Sequence, residues 1–442
     1  MSLPSRPGST HAVARRLAIA VATAAGVTAP QLSAQAADTT LLIQNVTVIH
    51  PESGARPGLD VLVSGNRISA VGPTGSLAAP PATRTIDGSG RFAIPGLWDM
   101  HVHLSVAGES ALPQFVAHGV LGVRDMGSDP WEPLRRHRAD ALAGRRVGPR
   151  IAIAGPIVDG PTPSWPLRIT AASPAQGRTA VDSLAIAGTD LIKVHAQLDR
   201  PTYFAIAAHA RRLGIPFAGH VPNGVTGLEA LAAGQRSLEH MTGVPPAGTP
   251  GFDTTARALV ARGAWVTPTL LVYWTLAHRE DDAVRNDPRA ATISASAREF
   301  WEYQKTGWSG DMSTAAMERG LAMMRGSVGA LAAAGVTLLA ATDLAFVYTY
   351  PGSSLHEELG LLVGAGLSPL QALAAATIEP ARFLGREREL GSIAPGMLAD
   401  LVLLDADPLA DIANARRIAA VVANGRLFDR AALDAILAGT GG

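Results

Sequence analysis

The run Phe92-Ala-Ile-Pro-Gly-Leu-Trp-Asp-Met-His101-Val-His103 decides how the chain is read. Its apolar residues predict a strand, and on a strand alternate side chains share a face. His101 and His103 therefore aim both imidazoles at one spot, which suits a divalent metal. The pair alone is weak, because a surface strand carries two such histidines by chance about as often. Its weight comes from four residues farther on. Lys193 lies in Leu191-Ile-Lys-Val-His195, His220 follows Phe217-Ala-Gly, His240 closes Ser237-Leu-Glu, and Asp343 follows Leu339-Ala-Ala-Thr. Each sits at the end of its own short apolar run.

Those runs belong to an alternating pattern. Strand candidates fall at Ala93–His103, Val120–Asp125, Arg150–Ala154, Leu191–His195, Pro216–His220, Ser237–His240, Trp265–Thr267 and Thr337–Asp343, most of them separated by helical patterns such as Arg200–Leu213. Strand–helix alternation predicts parallel pairing. Eight such units predict an α/β fold, a TIM-type (β/α)8 barrel, whose catalytic groups sit at the C-terminal ends of its strands. Taken singly, each of the six residues has an ordinary reading as a hydrogen-bonded core histidine or a helix-capping aspartate. Four imidazoles, one amine and one carboxylate at the same strand ends are poorly explained that way.

The ends of the chain read differently. Leu41–Ile49, 59–63, Ile68–Val71 and Thr85–Asp87 are β-rich, and so are Asp400–Leu404, Ile418–Ala423 and Arg426–Phe428, with Asn424-Gly425 as a hairpin turn. These predict antiparallel pairing and a small β-sandwich domain built from residues 37–92 and 388–442, with the barrel occupying 93–387. Residues 275–312 are long for a strand–helix connection and lie beside or contain Trp274, Trp301, Tyr303 and Trp308, so they read as a lid or as a packed excursion.

Residues 1–36 read as a secretory signal peptide: Arg15-Arg16, the apolar stretch Leu17–Val27, then the small-residue site Ala34-Gln-Ala36. The apolar stretch is short of the roughly 20 residues a membrane span needs. The expected location is periplasmic or secreted, with no stable membrane anchor. With no cysteine in 442 residues, disulfides, thiolate ligands and Cys nucleophiles are all excluded. Removing the signal takes three arginines from 37 basic residues and none of the 37 acidic ones, leaving a net charge of −3. No basic tract supports nucleic-acid binding. A small-molecule substrate is the expected partner, and self-association into a homo-oligomer is compatible with the sequence.

Taken as a set, Pro95-Gly-Leu-Trp-Asp-Met-His-Val-His103, Gly219-His220, Glu239-His240, Thr342-Asp343 and Gly391-Ser-Ile-Ala-Pro-Gly-Met-Leu-Ala-Asp400 resemble the amidohydrolase superfamily of metal-dependent hydrolases, across nearly all of the mature chain. Within it the chain is most similar to the imidazolonepropionase-related and Xaa-Pro dipeptidase-like branch. The resemblance implies that His101 and His103 hold one metal, His220 and His240 a second, and that Asp343 ligates the first and shuttles protons. It implies that Lys193 is carboxylated by CO2 to a bridging carbamate. Charge supports that last point, since a bare ammonium beside two cations is repelled. Donors that are all nitrogen and oxygen suit two zinc ions, with manganese or cobalt as alternatives.

The implied chemistry is hydrolysis. A bound metal lowers the pKa of water from 15.7 to about 7, and Asp343 passes the proton to a leaving nitrogen. His195, two residues beyond Lys193 on the same strand, is a candidate substrate contact, and Tyr348 and Arg124 are candidates for meeting a substrate carboxylate. His220-Val-Pro-Asn223 carries asparagine where ring deaminases of the superfamily carry glutamate. The leading expectation is a binuclear amidohydrolase acting on a dipeptide or N-acyl amino acid. The alternatives are a mononuclear enzyme opening a cyclic amide or lactam, and a non-catalytic metal- or solute-binding protein.

Overall fold

The computed structural model describes residues 40–162, 167–306 and 313–439. Residues 1–36, expected to be a signal peptide, and Trp308 lie outside the described residues. Among those described, no helix is long and apolar enough to cross a membrane.

Both ends of the chain meet in one eight-stranded sheet. Its strand order is Arg426–Asp429, Ile418–Ala423, Leu401–Leu404, Phe92–Pro95, Leu41–His50, Gly54–Ser64 and Arg67–Pro73, with Arg84–Asp87 on the flank of Leu41–His50. Alternation packs one face: Leu41, Ile43, Val46 and Val48 meet Val61, Val63, Leu401 and Leu403. Asn424 and Gly425 have φ of 50° and 79°, the two left-handed residues that a type I′ hairpin requires. The sheet is mixed rather than antiparallel throughout, because Leu41–His50 runs parallel to both Arg84–Asp87 and Phe92–Pro95.

The long run that opened the reading is two strands, not one. Phe92–Pro95 pairs with Leu401–Leu404 in the sheet of the chain ends. After Gly96, Leu97–Val102 pairs with Val120–Asp125 in a different, parallel sheet. The step between sheets is tight: a Cβ on Gly96 would lie 2.7 Å from the Leu121 side chain.

The middle of the chain forms α/β structure with parallel strands. One sheet joins Leu97–Val102, Val120–Asp125 and Arg150–Ile153. The other runs Arg168–Thr170, Ile157–Asp159, Ile192–Val194, Phe217–Gly219, Ser237–Glu239, Trp265–Thr267, Thr337–Leu338. Backbone hydrogen bonds span the gaps between the two sheets, from Asp190 N–H to Ile153 O at 2.8 Å and from Met100 N–H to Ala340 O at 3.1 Å. A parallel bridge joins Val102 to Leu344. The expected strands thus lie where the apolar runs put them, most of them shortened, with Val120–Asp125 and Trp265–Thr267 at their expected bounds.

The helices between them follow the usual amphipathic rule. Arg200–Leu213 buries Tyr203, Ile206, Ala207 and Ala210, a stripe of helical period, and Asp199 caps its start by accepting from Thr202 N–H at 2.7 Å. Residues 270–306 form helices, with Trp301 buried against Tyr348 and Tyr350. Residues 307–312, the end of the 275–312 segment, lie outside the described residues.

Candidate metal centre

Five short strands deliver the predicted residues to one place. His101 ends Leu97–Val102 and His103 follows it, Lys193 lies on Ile192–Val194, His220 follows Phe217–Gly219, and His240 follows Ser237–Glu239. Asp343 comes five residues after Thr337–Leu338. The side chains converge. Asp343 Oδ1 lies 3.4 Å from His101 Nε2 and 3.2 Å from His103 Nε2. Lys193 Nζ lies 3.3 Å from His101 Nε2. Ring centroids of His101 and His240 are 4.6 Å apart, and those of His220 and His240 are 4.7 Å apart. His101, His240 and Asp343 offer ligand atoms all within 4.8 Å of one another.

The backbone turns sharply to achieve this. His240, Thr269 and Asp343 have φ of 55°, 48° and 56°, a region that disfavours residues with a Cβ, the β-branched Thr269 most of all. Such strain concentrates where surrounding structure holds a functional side chain in place.

Three of the four imidazoles are oriented from behind. His103 Nδ1 donates to the Gly127 carbonyl at 2.8 Å, His101 Nδ1 pairs with Glu239 Oε2 at 2.9 Å, and His240 Nδ1 meets Thr269 Oγ1 at 2.6 Å. A carbonyl only accepts, so His103 carries its proton on Nδ1 and turns the Nε2 lone pair inward. Thr269 Oγ1 donates to Pro268 O, which leaves it an acceptor for His240 Nδ1. His220 Nδ1 is buried and has no hydrogen-bond partner among the described residues. In a protein interior an orphaned nitrogen is costly unless something occupies its lone pair.

Burial sets the charge states. It pushes the His240 imidazole down to about 4 and holds those of His101 and His220 well below the usual range, helped by the neighbouring Lys193. These three histidines are neutral at pH 7, the form a metal requires. Burial also pushes the Lys193 amine down to about 8. For Asp343, burial alone raises its pKa, but its contacts with His240, His103 and Lys193 outweigh it, so the carboxylate is held below its usual range. Neutral imidazoles with inward lone pairs, an ionised carboxylate and an unpartnered His220 nitrogen fit a divalent metal.

The other expectations fare unevenly. His195 is brought in: its ring lies 4.0 Å from that of His220, and its Nδ1 is 3.2 Å from Asp159 Oδ2. Tyr348 is half-buried in a small aromatic cluster, 5.5 Å from Trp301, with the Lys305 amine 5.4 Å from its ring. Arg124 is a correction. It has no solvent exposure, and its guanidinium is spent on Glu239, Ser237, Thr267 and the Met100 carbonyl, so it cannot meet a substrate carboxylate. Asp99 is a participant the sequence did not flag. It accepts from His101 N–H at 3.2 Å and from Thr342 N–H and Oγ1, and burial raises its carboxyl to about 7. Its only signal was a carboxylate two residues before His101 on the same strand face.

Residues 92–428 match the amidohydrolase family, and the chain belongs to it. It is 28% identical to an imidazolonepropionase from Rubrobacter xylanophilus over 435 residues, covering 88% of this chain and 99% of that one. Among solved structures it is similar to bottromycin amidohydrolase, with 26% identity, a TM-score of 0.75, and coverage of 91% of this chain and 90% of that one. It shares its fold with a Xaa-Pro dipeptidase bearing methionine in its active site, at 20% identity and a TM-score of 0.69, with coverage of 88% and 100%.

Proposed function

We propose that the two parallel sheets make one (β/α)8 barrel, and that the mature chain is a periplasmic or secreted binuclear metal-dependent hydrolase. Its substrate is a dipeptide or N-acyl amino acid, cleaved at the C–N bond. The observation that carries this reading is Lys193. Its amine has no solvent exposure, is weakened to about 8 by burial, and lies 3.3 Å from an imidazole nitrogen beside Asp343. A lysine with that little basicity, among neutral imidazoles, suits conversion to a carbamate that bridges two ions.

His101, His103 and Asp343 would hold one ion and His220 and His240 the other, with the Lys193 carbamate between them. When bound, zinc supplies acidified water near neutral pH and polarises a carbonyl. The chain's own groups do the rest. Asp343 accepts the proton released as water oxygen adds to the carbonyl carbon, then returns it to the nitrogen as the C–N bond breaks. His195, at the edge of the cluster and 13% exposed, contacts the substrate. Asn223, exposed in the turn after His220, cannot supply the acid of a ring deaminase.

Metal analysis and a screen of dipeptides and N-acyl amino acids test this together. The expected result is close to two zinc ions per chain, loss of at least one in Lys193→Ala, and turnover that disappears in Asp343→Asn. One ion per chain, indifferent to Lys193, with turnover of cyclic amides alone, supports a mononuclear enzyme instead. The end-to-end likeness to an imidazolonepropionase favours that second reading. Metal binding without turnover of any of these compounds marks a binding protein.

A further inference from the structure

Beneath the six residues lies a buried ion pair that the hydrolytic steps do not use. Neither Arg124 nor Glu239 has any solvent exposure. Arg124 Nη2 donates to Glu239 Oε1 and Oε2 at 2.9 and 3.0 Å, and Ser237 Oγ donates to Oε1. The guanidinium is itself held by Met100 O at 2.6 Å, Ser237 Oγ at 3.0 Å and Thr267 Oγ1 at 3.3 Å, with the Phe383 ring 4.5 Å from its carbon. Among the described residues, the other hydrogen bond to the Glu239 carboxylate comes from His101 Nδ1 to Oε2 at 2.9 Å. A buried pair of this kind stabilises a fold little against apolar residues of the same volume. Its connections point toward the site instead.

We propose that Glu239 and Arg124 are positioning residues for the metal centre: Glu239 keeps the His101 proton on Nδ1, and Arg124 holds the Glu239 carboxylate in place. This rests on the metal-centre reading above. With Nδ1–H tied to a carboxylate, Nε2 has its lone pair facing Lys193 and Asp343. Without that acceptor the ring is free to turn or to carry its proton on the other nitrogen. Loss of such a partner typically weakens metal binding by about 10- to 100-fold.

Two double variants isolate the contact, because both remove the buried charges together. Arg124→Met with Glu239→Gln leaves a neutral acceptor for His101 Nδ1–H, and Arg124→Met with Glu239→Leu leaves none. Zinc affinity measured against a competing chelator is expected to be about 10- to 100-fold weaker in the leucine variant than in the glutamine variant. Equal affinities overturn the proposal. Histidine-selective 15N NMR of the wild-type protein, zinc-loaded and chelator-stripped, reads the proton directly and does not depend on the variants folding; His101→Asn assigns the signal. A proton on Nδ1 is expected in both states, and a proton on Nε2 overturns the proposal. Failure of the metal-centre reading looks different: the wild type would take up no zinc while the stripped protein still showed His101 protonated on Nδ1.

Discussion

Replacing Lys193 with methionine separates the cost of this amine to the fold from its service to the metal. The side chain is fully buried, and burial lowers its pKa from 10.5 to about 8. At 1.36 kcal/mol per pH unit that gap is about 3 kcal/mol. Below pH 8 folded and unfolded chains both carry the ammonium, and the folded chain bears the whole penalty. Between about 8 and 10.5 the unfolded chain still binds the proton while the folded chain has released it, so stability rises with pH. Above 10.5 the penalty is gone. In chelator-stripped protein, Lys193→Met is therefore expected to be more stable than wild type by about 3 kcal/mol at pH 7. Urea unfolding followed by circular dichroism measures the gap, which should close between pH 8 and 10.5. Zinc should then stabilise the wild type much more than the variant, since only a lysine can bridge. A stripped variant no more stable than wild type at pH 7, or a gap unchanged up to pH 10.5, refutes the reasoning.

Other outcomes follow from single contacts. Asp343→Asn, which keeps an oxygen at the ligand position but removes the proton acceptor, should lose about 10²- to 10⁴-fold in turnover; steady-state kinetics with the best substrate from the screen, on protein of measured zinc content, checks it. Arg150 Nε lies 2.5 Å from Asp400 Oδ2, with both side chains about one-tenth exposed, and ties the parallel strands to the sheet of the chain ends. Asp400→Ala should cost about 3–5 kcal/mol in urea unfolding, by leaving a buried guanidinium uncompensated. The Tyr350 hydroxyl is buried without a hydrogen-bond partner among the described residues, so Tyr350→Phe should hold or raise Tm, and a clear loss contradicts the placement. Burial pushes His118 down to about 4 and His356 to about 3. The unfolded chain takes these protons first, so stability should fall as pH drops from about 6.5 toward 4, and His356→Gln should make that fall shallower.

Strand positions were legible because a buried parallel strand is a short apolar run, and five of these runs carry or lead into at least one of the six convergent residues. Val120–Asp125 and Trp265–Thr267 match their expected bounds for that reason. Ile157–Asp159 and Arg168–Thr170 were not legible, because three-residue strands between glycines and prolines carry no period. The split at Gly96 was hidden by apolar residues continuing on both sides, which serve two different sheets. The six convergent residues could be read from spacing because each owes its direction to its own strand. Arg124 could not: a charged residue near a strand end reads as rim, and only Glu239, 115 positions away, makes its burial tolerable. Glu239 and Asp99 act behind the histidines, and nothing in local sequence distinguishes a carboxylate aimed at a ring nitrogen from one aimed at water.

The strand Phe92–Pro95 is hydrogen-bonded on one side to Leu401–Leu404 and leads within six residues to His101. One wall of the centre is thus anchored by a segment synthesised some 300 residues later. A nascent or C-terminally clipped chain has every ligand but no fixed first strand. Loop closure over some 300 residues is slow, so competence for metal should arrive late in folding, and removal of the final strands should disarm the centre without touching it.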